Sequence, residues 1–399
     1  MNATHPCPPD TALPVLVVGA GPAGLATAAE LSRRQVPYRL LERGESLGHS
    51  WTQLYDSLVL HTGRHMSALP GRRFQRGTPL FPSRDHLVEY LRDYAAAFSL
   101  RVEAGMDVVS LRRSAVGWCA TLKDGSTIDT GAVVMATGIM ANPRMPVIPR
   151  REDFQGRVLH SVEYRRPAPF AGRRVLVVGV GNSGGEIASE LGNAGVDVTV
   201  VARSGAHVVP LAIGGVPIQY LARAVRVLPR TAQEFVVRQV QRVSERRRGP
   251  PVLPRPAHSS LDAIPLIGFH LVDAIREGRV KVKLGALQSF TADGVTFSDQ
   301  TLESFDCVIL ATGFAPALSP LGKQVTTDDR GFALRSDRVT SRDQPGLYFV
   351  GHNYDATGGL ANIRRDAPLV AERIAQCRVV AIRMRSDRDA AIKAAAQNR

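Results

Sequence analysis

Two glycine-rich turns carry the chemistry for which this sequence has the right residues at the right spacing. Gly19-Ala20-Gly21-Pro22-Ala23-Gly24 follows the apolar run Val15-Leu16-Val17-Val18 and opens a segment with a helical apolar face. Gly19 permits a tight turn, Gly21 lets backbone approach a pyrophosphate, and Gly24 lets helix and strand pack closely. Phosphates would rest on the unpaired N–H groups and positive dipole end of that helix. Glu42 ends the next strand, 23 residues after Gly19, where an acid accepts hydrogen bonds from ribose hydroxyls. The pattern suits a dinucleotide with a free ribose, such as FAD.

Gly179-Val180-Gly181-Asn182-Ser183-Gly184 repeats the device after Val175-Leu176-Val177-Val178. Here the following strand ends in Ala202-Arg203-Ser204, with no acid. Arginine offers charge and paired donors to a 2′-phosphate, so the second site reads as one for NADPH. Two dinucleotides imply electrons passed from nicotinamide to flavin. A relay onward to a disulfide needs a cysteine pair, but Cys7, Cys119, Cys307 and Cys377 are widely scattered. Electrons must leave otherwise, to oxygen or another acceptor. The same scatter offers no metal set and suits a reducing compartment, the cytoplasm.

These turns must be held by parallel strands. Continuous apolar runs joined by helices read as an α/β fold with two dinucleotide-binding, Rossmann-like units, each with a sheet buried on both faces. Each half also carries an Asp-Gly hairpin followed by an apolar strand ending in Ala-Thr-Gly, at 117–138 and 288–313. Between them, Pro217 to Leu228 and Thr231 to Arg248 read as helices interrupted by Pro229. Their apolar residues, Phe235 and Val243 among them, are compatible with one buried stripe. Prolines 250, 251, 254 and 256 then mark a loop. The expected division is a flexible 1–10, an FAD domain over 11–165 and 305–385, an inserted NADPH domain over 166–304 with a helical insert at 205–260, and a frayed polar tail over 386–399.

The segment Phe154-Gln155-Gly156-Arg157-Val158-Leu159-His160-Ser161-Val162-Glu163-Tyr164 fits the pattern FxGxxxHxxxY. At this point the chain resembles the flavin-containing monooxygenases, whose identifying motif has this form and precedes the second glycine fingerprint. Related Baeyer–Villiger enzymes end the motif in Trp-Pro, whereas this chain has Tyr164-Arg165. The runs Trp51 to His61, Leu80 to Ser83, Arg203 to Pro210 and Ala311 to Phe314 look like the YUCCA-type branch. The resemblance implies that NADPH reduces FAD and that reduced flavin forms a C4a-(hydro)peroxyflavin with O2. A small organic substrate is then oxygenated at N or S, or a 2-oxo acid is oxidatively decarboxylated. It places FAD at Gly19 to Gly24, Glu42, Arg43, Ser50, Trp51, His61, Thr62, Ala136, Thr137, Gly138, Gly351, Gly359 and Leu360. It places NADP at Gly179, Gly181, Asn182, Ser183, Gly184, Arg203, Ser204, Ala311, Thr312 and Gly313. Of the motif residues Phe154, Gly156, His160 and Tyr164, His160 takes a positioning role by the same resemblance. His61, where many relatives carry asparagine, is the candidate for placing flavin and NADP. His352 likewise stands where the family often has aspartate.

The formal net charge is +14, and eight arginines fall within 223–248. The expected partners are a substrate and O2, with an anionic substrate, an acidic carrier protein or an anionic membrane surface drawn by that charge. No aromatic-rich nucleic-acid motif accompanies the arginines, so nucleic acid is not expected. No apolar run reaches the roughly 20 residues of a membrane-spanning helix. Competing enzyme readings are an NADPH oxidase or flavin reductase releasing H2O2, and Baeyer–Villiger oxygenation.

Overall fold

The computed structural model describes residues 13–397 apart from 260, 262, 263, 354 and 356, and from 381 onward the backbone alone. The expected flexible start, 1–10, and Cys7 lie outside the described residues. In chain order the first stretch holds β1 (Val15–Val18), α1 (Pro22–Arg33), β2 (Tyr38–Glu42), α2 (His49–Thr52), α3 (Arg64–Ser67) and α4 (Arg84–Ala97). Then follow β3 (Val102–Ala104), β4 (Val108–Ser114), β5 (Gly117–Leu122), β6 (Thr127–Thr130), β7 (Ala132–Met135) and β8 (Arg157–His160). The middle holds β9 (Arg174–Val178), α5 (Asn182–Asn193) and β10 (Asp197–Ala202). Short ladders β11 (Val208–Val209), β12 (Ala212–Ile213) and β13 (Val216–Pro217) precede α6 (Ile218–Val225), α7 (Arg230–Arg248), β14 (Leu266–Ile267) and α8 (His270–Arg276). The last stretch holds β15 (Lys281–Leu284), β16 (Leu287–Phe290), β17 (Gly294–Phe297), β18 (Leu302–Ser304), β19 (Cys307–Leu310), β20 (Leu347–Phe349) and α9 (Gly359–Gln397).

Two five-stranded parallel sheets result, in the orders β20-β7-β1-β2-β3 and β15-β10-β9-β19-β8. The inner strands β1, β7 and β19 are buried at every position, as a sheet covered on both faces requires. Each half adds a three-stranded antiparallel sheet, β4-β5-β6 and β16-β17-β18, with turns at the two Asp-Gly pairs. The strand pairing crosses the expected division at 165 and 305. β8 and β19 fall on its FAD side yet pair with each other, and β19 pairs with β9, in the second sheet.

Two further expectations change. α6 and α7 form where the spacing predicts them, but no apolar stripe is buried. No residue of α7 is buried, Phe235 is 58% exposed, and Val227 just before Pro229 is 87% exposed. The chief neighbour of α7 is the short ladder strand β11, which is too small to cover a helix face. The expected frayed tail is helical as far as Gln397, where α9 runs on through an Ala-rich stretch of high helix propensity.

Candidate functional site

At the carboxyl ends of β1 and β7 lies a cleft of about 350 Å³. Every position expected to hold flavin lines it, apart from Ala20 and Gly24. Those two are buried beneath it for a local reason. A Cβ on Gly24 would stand 1.8 Å from the Gly19 carbonyl oxygen, so only glycine lets α1 approach the turn. Gly19 itself has φ +102°, and a Cβ there would strike the Ala136 carbonyl oxygen at 2.7 Å. Above Gly21 nothing lies within 4 Å, which leaves room for a phosphate at the start of α1. The Ala20 N–H donates to Glu42 Oε2 at 2.9 Å, and the Gly44 N–H donates to Oε1 at the same distance. The acid thus fixes the turn and also lines the cleft. Trp51 on α2 and the start of α9 at Gly359 and Leu360 complete the wall. Met106, Asp107, Ile139 and Met140 also line it and carried no signal in the sequence.

The second fingerprint reproduces this geometry. Gly179 has φ +111° and meets the Ala311 carbonyl oxygen at 2.7 Å; Gly184 meets the Gly179 carbonyl oxygen at 2.1 Å; Gly181 faces open space. The repeated Ala-Thr-Gly thereby acquires a physical role, since its alanine carbonyl closes on the first glycine of each turn. Thr137 and Thr312 donate to Ala317 O at 2.8 Å and Arg144 O at 2.6 Å, holding these segments in place. Arg203 and Ser204 are exposed just beyond β10. The Asn182 side chain is engaged within the protein. Its Oδ1 accepts from the Ile267 N–H at 2.8 Å and its Nδ2 donates to Pro265 O at 3.2 Å, so it ties α5 to β14.

The FxGxxxHxxxY motif is a set of braces. The Phe154 ring lies 5.2 Å from that of Phe290, and a Cβ on Gly156 would strike the Phe154 ring. His160 Nε2 donates to Gly313 O at 3.0 Å, while Nδ1 accepts from the Val162 N–H at 3.2 Å. Burial pushes the His160 imidazole below its ordinary pKa, consistent with a neutral ring. Tyr164 donates to Glu190 Oε2 at 2.8 Å. His352 does not line the cleft. It is buried between Phe332 and Phe349, with both ring nitrogens unpartnered among the described residues. Burial, reinforced by Arg335, pushes its pKa down to about 3.

A cluster that sequence reading did not assemble stands at the edge of the cleft. His61 Nε2 pairs with Glu186 Oε1 on α5, and the Tyr55 hydroxyl donates to Glu186 Oε2 at 2.5 Å. Burial first, and the Glu186 charge second, push the Tyr55 phenol well above its usual pKa. Only Glu186's place two residues after Gly184, at the start of a helix, could have signalled it.

Residues 16–211 match the family described as pyridine nucleotide-disulphide oxidoreductase. The cysteines at 119, 307 and 377 nonetheless form no disulfide with one another. The indole-3-pyruvate monooxygenase YUCCA1 of Oryza sativa subsp. japonica is 35% identical over 375 residues, spanning 90% of this chain and 90% of that protein. The indole-3-pyruvate monooxygenase YUCCA6 of Arabidopsis thaliana is 31% identical over 386 residues, spanning 91% and 90%. Among solved structures, a mutant flavin monooxygenase from Stenotrophomonas maltophilia superposes with TM-score 0.73 at 25% identity, covering 91% of this chain and 98% of that one. Cyclohexanone monooxygenase from Rhodococcus sp. Phi1, solved bound to NADP+, shares the fold with TM-score 0.69 at 18% identity, covering 91% and 84%.

Proposed function

The chain belongs to the flavin-containing monooxygenases, in their YUCCA-type branch, and from that premise we propose that it oxygenates a small organic substrate in the cleft bounded by Gly19, His61 and Leu360. The first sheet takes FAD and the second takes NADPH. The observation that carries this assignment is the paired glycine geometry: open space above Gly21 and Gly181, and carbonyl oxygens pressed against Gly19, Gly24, Gly179 and Gly184. Bound NADPH would supply hydride and bound flavin would supply oxygen activation. The chain's own part is to bind, orient and exclude water. The α1 and α5 N-termini offer N–H groups to the two pyrophosphates, and Glu42 fixes one ribose. Arg203 stands where a 2′-phosphate would be read. The start of α9 presents its dipole to the flavin, where charge gathers on reduction.

Oxidative decarboxylation of a 2-oxo acid is the leading reaction, with N- or S-oxygenation behind it. The support is the 30–35% identity to proteins named indole-3-pyruvate monooxygenases along 90% of this chain. The test is stoichiometry with indole-3-pyruvate, an amine and a thioether. One NADPH and one O2 consumed per product formed is the expected result. Peroxide equal to NADPH, whichever substrate is supplied, would instead establish the oxidase reading. A specific observation favours that second reading: His61 Nε2 is engaged by Glu186, so this nitrogen is not free to hold NADP as an asparagine amide would.

A further inference from the structure

Glu186 sits at the junction of the two nucleotide sites. Its helix, α5, begins at Asn182, so the carboxylate lies just over one turn from the N–H groups that face the second dinucleotide. One oxygen pairs with His61, which lines the flavin cleft, and the other takes the Tyr55 hydroxyl. Tyr55 is not loosely placed. Arg165 donates to Thr52 O at 3.2 Å and Leu54 O at 2.9 Å, and the Asp56 N–H donates to Arg165 O at 3.0 Å. The segment carrying Tyr55 is thus pinned by the residue that follows Tyr164. One turn further along α5, Glu190 takes the Tyr164 hydroxyl, and the Tyr55 and Tyr164 rings lie 6.3 Å apart. Two glutamates four residues apart repel on an isolated helix. Here each is committed to a partner outside it, which fixes the rotation of α5 against the flavin side. His270, at the start of the neighbouring α8, leaves its buried Nε2 without a partner among the described residues.

We propose that Glu186 is a positioning residue that couples the two cofactor sites, holding the His61 imidazole at the flavin cleft by a helix whose N-terminus binds the second dinucleotide. This rests on the two-cofactor reading above and adds a link between its halves. The physical cause is mechanical. The clasp then transmits any shift of α5 to His61. Coupling of this kind is reciprocal, so His61 must affect NADP+ affinity although it belongs to the flavin side.

The experiment is a double-mutant cycle on the FAD-loaded protein, using His61→Gln, Glu186→Gln and the double variant, with Tyr55→Phe alongside. NADP+ affinity is read by calorimetric titration, and the flavin absorption spectrum is recorded with and without NADP+. Each single change should weaken NADP+ about tenfold, the double should lose no more than either single, and Tyr55→Phe should lose about threefold. NADP+ should perturb the flavin spectrum in the wild type and not in Glu186→Gln or His61→Gln. Losses that multiply to about a hundredfold in the double variant would overturn the coupling, as would full NADP+ affinity in both singles. If Glu186→Gln fails to retain FAD, the cycle runs on Tyr55→Phe and His61→Gln with the same criterion. A wild-type protein that takes up neither dinucleotide sinks the functional reading and this inference together; one that binds both and shows independent effects sinks the coupling alone.

Discussion

Glycines at equivalent positions of one turn are not equivalent in what they tolerate. Gly24→Ala forces a methyl group into the Gly19 carbonyl, so the turn must open, with a stability loss on the order of 1–3 kcal/mol. Gly21→Ala meets no atom within 4 Å and should leave the melting temperature of the flavin-free protein unchanged while losing FAD, because its methyl occupies the phosphate's space. Melting curves and bound-flavin content together check both; equal melting losses for the two variants would contradict the packing argument. His352 tests a different force. Its folded pKa, about 3, lies below the ordinary 6.5. The unfolded chain therefore binds a proton that the folded chain refuses, and stability declines as pH falls from about 6.5 toward 3. His352→Phe should flatten that decline, as a series of melts from pH 7 to 4 would show. Parallel curves for variant and wild type would mean that other groups set the acid limit.

Strands and helices of this chain differ in how much tertiary support they receive. β1, with glycines after it and both faces buried, is held by sheet neighbours on each side. α7 is held chiefly by its own propensity and by surface ion pairs such as Arg248 with Asp273 at 2.8 Å. Exposed pairs of this kind contribute little, about 0–1 kcal/mol. Phe235→Ser and Val243→Ser should therefore change stability by no more than about 0.5 kcal/mol, within the usual range for exposed sites. Chemical denaturation measures this directly. A loss above about 2 kcal/mol would show that α7 is covered in solution.

The molecule as a whole is two parallel sheets, joined where α5 receives Tyr55 and His61 from the flavin side. Its excess of positive charge is more than dinucleotide phosphates require. If that charge draws an anionic substrate, KM for indole-3-pyruvate should rise severalfold between 50 and 500 mM salt, over which the Debye length shrinks about threefold. KM for an uncharged thioether should stay flat. Equal behaviour of the two substrates would leave the arginines of 223–248 without a part in substrate capture.

The sequence alone determined the elements whose signals are local. Strand, glycine turn and helix lie within about thirty residues of each other, and each Asp-Gly hairpin within fewer, so the periodicity and turn chemistry specify them without long-range contacts. Both fingerprints and both hairpins followed from that. Tertiary structure decided whatever depends on distant partners. β8 and β19, 150 residues apart along the chain, share a sheet because hydrogen bonding ignores where an apparent domain boundary falls. The stripe on α7 is not buried, with Phe235 and Val243 exposed, because amphipathicity states what a helix could bury and not whether a surface is present to bury it. Glu186 meets Tyr55 across 131 residues, and Asn182 turns to Ile267 across 85. Hydrogen bonds of that separation leave no periodic trace in a single sequence, and the fold alone brings their ends within reach.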